Sequence, residues 1–256
     1  MESLGLEPSM SLIFACGAVA LFAGVVKGVV GFALPMIMIS LLGSFLPPDL
    51  ALAGLILPTL ATNGMQALRQ GPAAAVASVV QFRVFMITAG IMLVLSAQLF
   101  VLLPVWVLFL AIGVPVTAFC LMQLGGVRFH LARQVGWIEA LVGAVAGFIG
   151  GLSGVWGPPL VAYLTALNTE KRAQMRAQGA AFGLGSVLLL FAHAGSGVVR
   201  TETLVFSALL TLPAILGMWL GSQVQDRIDQ ETFRRATLVV LLVAGLNLVR
   251  RAVFAI

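Results

Sequence analysis

The chain has 256 residues, of which 61% are hydrophobic and 9% charged, with a mean hydropathy of +1.11 and a formal net charge of +5. Soluble domains carry roughly 25% charged residues, so a water-soluble globule or soluble enzyme is excluded and lipid is the remaining solvent. The positive balance does not indicate nucleic acid as a partner, because the 14 Lys and Arg residues fall mostly in short loops between apolar runs, where they report membrane orientation.

Lipid requires backbone polar groups to be paired internally, by helices or by a closed barrel. The charge-free runs 50–68, 177–199 and 203–225 far exceed the roughly 10-residue strands of a barrel and match helical spans of roughly 20 residues. An all-α polytopic membrane protein is expected. Its first segment, 9–28, follows Glu2 and Glu7 rather than the positive start of a signal peptide, so a retained helix is expected. A short segment at 33–46 contains Pro35, and 50–69 carries Asn63 and Gln66. The uncharged run from Arg83 to Arg128 holds two spans, 84–103 and 105–124, with Pro104 as their corner. After a basic loop at 125–135, the spans are 136–152 with Glu139 near its start, the short 158–168, 174–194 with Gln178 and Ser186, 203–222, and 234–252. The second and seventh segments are too short to cross alone. Cys16 and Cys120 each lie inside an apolar run, so neither a disulfide nor a metal site is expected from them, and no cofactor is expected.

An internal repeat organises these segments. Gly24, Gly28, Gly31 and Pro35 correspond to Gly147, Gly151, Gly154 and Pro158, every pair 123 positions apart. Both copies sit where a long segment meets a short one. Residues 1–124 and 136–256 are therefore expected as two membrane repeats joined by the loop 125–135. Each contains a helix–break–helix hairpin, interrupted or re-entrant, followed by three spans. An odd number of further crossings starts the second half on the opposite face, so the repeats are inverted, as in secondary transporters. With the N-terminus outside, Arg69, Arg83, Arg128, Arg133, Lys171, Arg172, Arg176, Arg227, Arg234 and Arg235 all face the cytoplasm, against Arg200, Arg250 and Arg251 on the far side, as the positive-inside rule favours.

A helix that begins with proline inside the membrane directs its unpaired N–H groups and positive dipole end into the protein, an arrangement that suits an anion. Two such starts, at 33–35 and at 156–159 with Trp156, Gly157 and Pro158, would converge near the pseudo-twofold centre. The competing reading is that the glycines only allow close helix packing. Lys27 lies between Gly24 and Gly28 and would supply a positive charge, since a lysine at membrane depth usually lines a cavity; alternatively it snorkels to the interface. Its counterpart is Gly150, so one charge would serve one shared site. Asn63 and Ser186 are also 123 apart and would face the same cavity, unless they and Ser153, Gln66 and Gln178 serve only interhelical hydrogen bonds. Glu139 reads as an interfacial carboxylate or a proton-coupling group.

Two enzymatic readings fail. Gly151-Leu-Ser153-Gly154 spells a GxSG motif, with His193 on a later helix, a pairing that would serve acyl transfer. The equivalent first-half motif keeps the glycines but carries Val30 in place of the serine, so the glycines belong to the repeat. No phosphate-binding loop exists, since Lys27 and Lys171 are the only lysines and neither closes a GxxxxGK[ST] motif.

Paired glycine motifs ending in proline, one opening each half of a chain of this length, together with the basic central loop and a short second helix in each half, resemble the TauE/SafE sulfite exporter family. The first copy departs from the family pattern by carrying Phe32-Ala33-Leu34 where glycine is more frequent. The resemblance implies a multi-pass permease of the bacterial inner membrane, its N-terminus periplasmic, for small sulfur-containing anions such as sulfite, sulfoacetate and other organosulfonates. A proton or sodium ion would couple uptake, and Gly-rich faces would permit a homodimer. The expected substrate-binding residues are Lys27, Gly28, Gly31, Pro35, Asn63, Gly151, Ser153, Gly154, Trp156, Gly157, Pro158, Gln178 and Ser186. A passive anion channel of the same fold is the alternative.

Overall fold

The computed structural model describes residues 10–98, 105–127, 130–153, 156–194 and 201–254. Glu2, Glu7, Pro104, Arg128, Gly154 and Arg200 lie outside these described residues, and of Gly151, Ser153 and His193 only the helical backbone is described. The described residues form eleven helices and no strand: α1 (Met10–Val30), α2 (Leu34–Leu42), α3 (Pro48–Leu68), α4 (Pro72–Gln81), α5 (Arg83–Gln98), α6 (Val105–Leu124), α7 (Gly136–Ser153), α8 (Gly157–Ala166), α9 (Lys171–Ala194), α10 (Thr201–Arg227) and α11 (Gln230–Val253). Among them α1, residues 203–227 of α10, and α11 are each long and apolar enough to cross a membrane, and α4 with α5 qualifies as one bent span. Large apolar side chains such as Phe14, Phe22, Ile87, Leu212, Trp219 and Val243 lie on the outside, the inverse of a water-facing surface. The chain is a polytopic helical membrane protein.

One helix was not foreseen. The stretch 70–83 reads as a loop, but Pro72 starts α4 behind Gly71, whose φ of +90° suits glycine. Phe82, at φ −105° and ψ 29°, then leaves the helical region, and α5 departs at 78° to α4. The start of α5 is held by Glu139, which is buried and accepts a hydrogen bond from the Phe85 N–H at 3.0 Å and another from the Gln134 amide. A carboxylate on the first turn of a helix satisfies an otherwise unpaired donor and meets the positive dipole end. Glu139 is thus engaged in capping rather than lying free at an interface.

Only residues 31–33 separate α1 from α2, and the two helices pack side by side, so α2 folds back along α1. Leu34, Met38 and Leu42 share one apolar core with Cys16, Ala20 and Ala23. Helix α8 likewise packs against α7. The long helices pair across the two halves: α1 packs chiefly on α10, α7 on α5 and α6 on α11, while α3 lies against both α10 and α9. In the α1–α10 pair the backbones nearly touch. A Cβ on Gly217 or Gly221 of α10 would collide with the carbonyls of Leu21 and Val25, and one on Gly24 or Gly28 with those of Ala214 and Met218. Gly147 lies equally close to Ala89 in the α7–α5 pair. Small residues at such crossings let membrane helices gain dispersion contact that lipid tails would otherwise supply.

Candidate functional site

Helix α1 ends at Gly31, whose N–H bonds the Lys27 carbonyl at 2.7 Å and whose φ is +85°. The carbonyls freed there would be costly in lipid, and two side-chain amides satisfy them. Gln66 of α3 donates to Gly31 O at 3.1 Å and to Met175 O at 2.7 Å. The Gln178 amide of α9, its nitrogen turned toward the break, donates to Val30 O and Gly31 O at 3.2 and 3.1 Å. Ala33, at φ 77°, precedes α2 and occupies the left-handed conformation that glycine adopts without cost.

Directly above this break Lys27 is 1% exposed. Its ammonium donates to Asn63 Oδ1; the Asn63 amide donates to Ser186 Oγ at 2.8 Å, and Ser186 Oγ to the Phe182 carbonyl at 2.7 Å. Residues 63 and 186 therefore meet each other, at the contact between α3 and α9. An ammonium offers three donors, and among the described residues Lys27 has one partner, a neutral amide. None of the described residues lining the cavity in front of it is acidic. The lysine is committed to the interior rather than reaching for an interface.

That cavity measures about 30 Å³ and lies between the two helix breaks. Phe32, Ala33 and Pro35 bound it from the first break, Trp156 and Gly157 from the second, and Phe182 and Thr59 from α9 and α3. Trp156 is buried, its ring set between Gly150 of α7 and Gly185 of α9, where an added Cβ would come within 2.8 Å of indole or Trp156 Cβ atoms. The corresponding places carry different side chains, Lys27 and Ala33 in the first half and Gly150 and Trp156 in the second. Gly150 and Gly185, both of the second half, make room for the Trp156 ring.

Several expected site residues are placed elsewhere. Gly28 faces Met218 and Gly221 of α10 and serves close packing. Gly31 and Gln178 build the break rather than line the cavity, and Pro158 is buried in α8. Gly151 and Ser153 belong to the last turn of α7. The donors at the helix starts are fewer than two proline-led N-termini suggested. Pro35 removes one N–H from the first turn of α2, and Pro158 and Pro159 remove two from α8. Leu34, Met36 and Gly157 remain as first-turn donors. Thr59 escaped the sequence reading. Its hydroxyl is buried beside the cavity without a hydrogen-bond partner among the described residues, and the signal for it was Pro58 in mid-helix. Proline frees the Gly54 carbonyl, and Ser207 of α10 bonds both that carbonyl at 3.3 Å and the Leu57 N–H at 3.0 Å.

A positive group opposite one amide oxygen makes Asn63 a sensitive position. Asn63→Asp places a fixed carboxylate against Lys27 and should leave the folded protein at least as stable while any anion it binds is lost at accessible concentrations. Isothermal titration of the purified variant and its thermal unfolding in detergent check both halves of this expectation.

A family model described as Sulfite exporter TauE/SafE matches residues 16–248 of the chain. No curated protein and no solved structure matches it.

Proposed function

The chain belongs to the sulfite exporter TauE/SafE family, and from that premise we propose that this membrane permease carries small sulfur-containing anions, sulfite and organosulfonates such as sulfoacetate, by alternating access at the Lys27 cavity. The observation that carries this reading is a buried ammonium that has, among the described residues, one neutral partner and no carboxylate in the cavity it faces. Such a charge is costly unless something negative joins it. The proline-led starts of α2 and α8 add fixed positive ends of helix dipoles from two sides. The aromatic walls suit the apolar part of a sulfonate and exclude hydration water.

We further take 1–124 and 136–256 as inverted repeats joined by 125–135, rocking about the α3–α9 contact. The pairings α1–α10 and α7–α5 exchange under a 123-residue shift, and α6–α11 and α3–α9 map onto themselves, whereas the extensive α3–α10 contact has only a slight counterpart between α9 and α5. The protein is placed in a bacterial inner membrane with its N-terminus periplasmic, because the basic loops then face the cytoplasm. The inside-negative potential favours anion exit by about 2.3 kcal/mol per charge at 100 mV. At about 30 Å³ the cavity is small for an oxyanion in this conformation. Admission of an oxyanion requires Trp156 or Phe182 to move.

Reconstituted into proteoliposomes, the protein is expected to give sulfite flux that saturates and is stimulated by sulfite on the opposite side. Unsaturated, voltage-driven flux would replace the transporter by a channel, and no flux of any sulfur anion would sink the substrate assignment.

A further inference from the structure

A second cavity lies one helical turn from the first. The lining passes from Lys27 and Asn63 in the inner cavity to Gly28 and Gln66 in this one. Gln66 and Asn63 are three residues apart on α3, so about 4.5 Å of helix rise separates the two levels. The outer cleft is large, about 450 Å³, with room for a hydrated anion. It opens at the end of the molecule where Arg69, Lys171, Arg172 and Arg176 gather. Its charged lining residues are Arg69, Arg172 and Asp226.

Arg69 pairs with Asp226 at 2.5 Å and donates to Gln225 at 3.1 Å, which cancels one charge of each sign. Lys171 is held by the carbonyls of Gln225 and Ile228, and Arg176 by Ser78 and Gln70. The Arg172 guanidinium has no hydrogen bond or ion pair to a described residue; only its backbone carbonyl is engaged, by Gln70. The cleft is thus left with one uncompensated positive charge on its wall. Its floor is the layer formed by Gln66, Met175 and Gln178 around Gly31, so tight that a Cβ on Gly31 would lie 2.6 Å from the Met175 sulfur.

We propose that this cleft is a distinct recruiting site for the oxyanion on the basic face, with Arg172 as its binding charge and the Gln66–Gln178–Met175 layer as the gate to the Lys27 cavity. The ligand class rests on the transport reading above, but the site is defined by its own charge and volume. A concave wall of one sign raises the local concentration of the opposite ion. The guanidinium fork matches the oxygens of a sulfite or sulfonate in pairs. Because the amides of the gate are already bonded to the broken end of α1, opening the gate and moving the α1–α2 hairpin are one event.

The test reads binding without needing flux. Ser222→Cys puts a thiol in the cleft, and Gln70→Cys puts one at its exposed mouth; the native Cys16 and Cys120 are buried. An anionic methanethiosulfonate should modify the thiol at 222 about tenfold faster than its cationic analogue, after correction for intrinsic reactivity. Sulfoacetate, whose sulfonate consumes neither the reagent nor the thiol, should slow that reaction, and Arg172→Gln should remove most of both effects. A thiol at 222 that reacts without charge preference or sulfoacetate protection would overturn the proposal. So would an unreactive 222 together with a reactive thiol at 70 that is indifferent to sulfoacetate. Sulfoacetate protection in a protein that moves no sulfur anion would leave the recruiting site standing and remove the transport reading instead.

Discussion

Lys27→Met abolishes sulfite flux in proteoliposomes while the detergent-solubilised protein unfolds at the same temperature as the parent or higher. The functional half follows from charge. An anion about 4 Å from the ammonium gains about 4 kcal/mol at an effective dielectric constant near 20, roughly a thousandfold in affinity. None of the other described residues on the cavity wall is cationic. The stability half follows from the same isolation. Burying an ammonium costs several kcal/mol, and here a single neutral amide offsets it. Methionine keeps the length of the side chain and leaves Asn63 Oδ1 without its donor, at a cost of about 1–3 kcal/mol. The two changes oppose each other, so no loss of stability is expected. Flux unchanged in Lys27→Met would move the anion out of this cavity; flux lost along with folding would make the lysine a structural element.

Gly221→Val is expected to abolish the folded protein. At the α1–α10 crossing the neighbours of a new side chain are backbone atoms, the Val25 carbonyl and the Gly28 Cα, and backbone cannot swing aside. Overpacking of this kind costs about 3 kcal/mol or more. The glycines at 24 and 28 on one helix and at 217 and 221 on the other interlock, so moving α1 away also loosens the floor of the Lys27 cavity. Gly64→Ala and Gly183→Ala are the controls: a Cβ there meets nothing within 4 Å, and both variants should express and unfold as the parent does. Monodisperse yield by size-exclusion chromatography and the unfolding midpoint decide the matter. A well-folded Gly221→Val would mean that the helices stand farther apart than described.

Much of the site was legible because it depends on what lipid forbids. A lysine within an apolar run, and polar residues at 63 and 186 with a common offset, each call for a partner, and the three are joined in one chain of hydrogen bonds. The glycine motifs were read as a choice between packing and cavity, and individual residues divide between the two. Gly28 meets a helix, whereas Gly31 turns the chain. That division depends on which face of α1 meets α10, and the sequence of α1 is apolar on every face, so no periodicity reveals it. Gln66 and Gln178 were taken as cavity or interhelical groups; their task of satisfying the carbonyls of a broken helix needs the break to be located first. Helix α4 fell in the gap between the expected segments 50–69 and 84–103, although a Gly-Pro pair such as Gly71-Pro72 is able to start a helix. Thr59 has no sequence signature beyond Pro58.

The bend between α4 and α5 belongs to one half alone. α10 continues unbroken through Val205, the position 123 residues beyond Phe82. Around the bend, Arg176 bonds Ser78 and Gln70 at 2.6 Å, and Gln134 bonds the Gln81 carbonyl at 2.9 Å. If the two halves were identical, the states open to either side would have equal energy and a molecule would divide its time evenly. Each bond that exists on one side only, at about 1 kcal/mol, skews that division by about fivefold. Under the alternating-access reading, a few such contacts would give the cycle a side on which it idles, and the concentration of anion on that side would then set how often it turns.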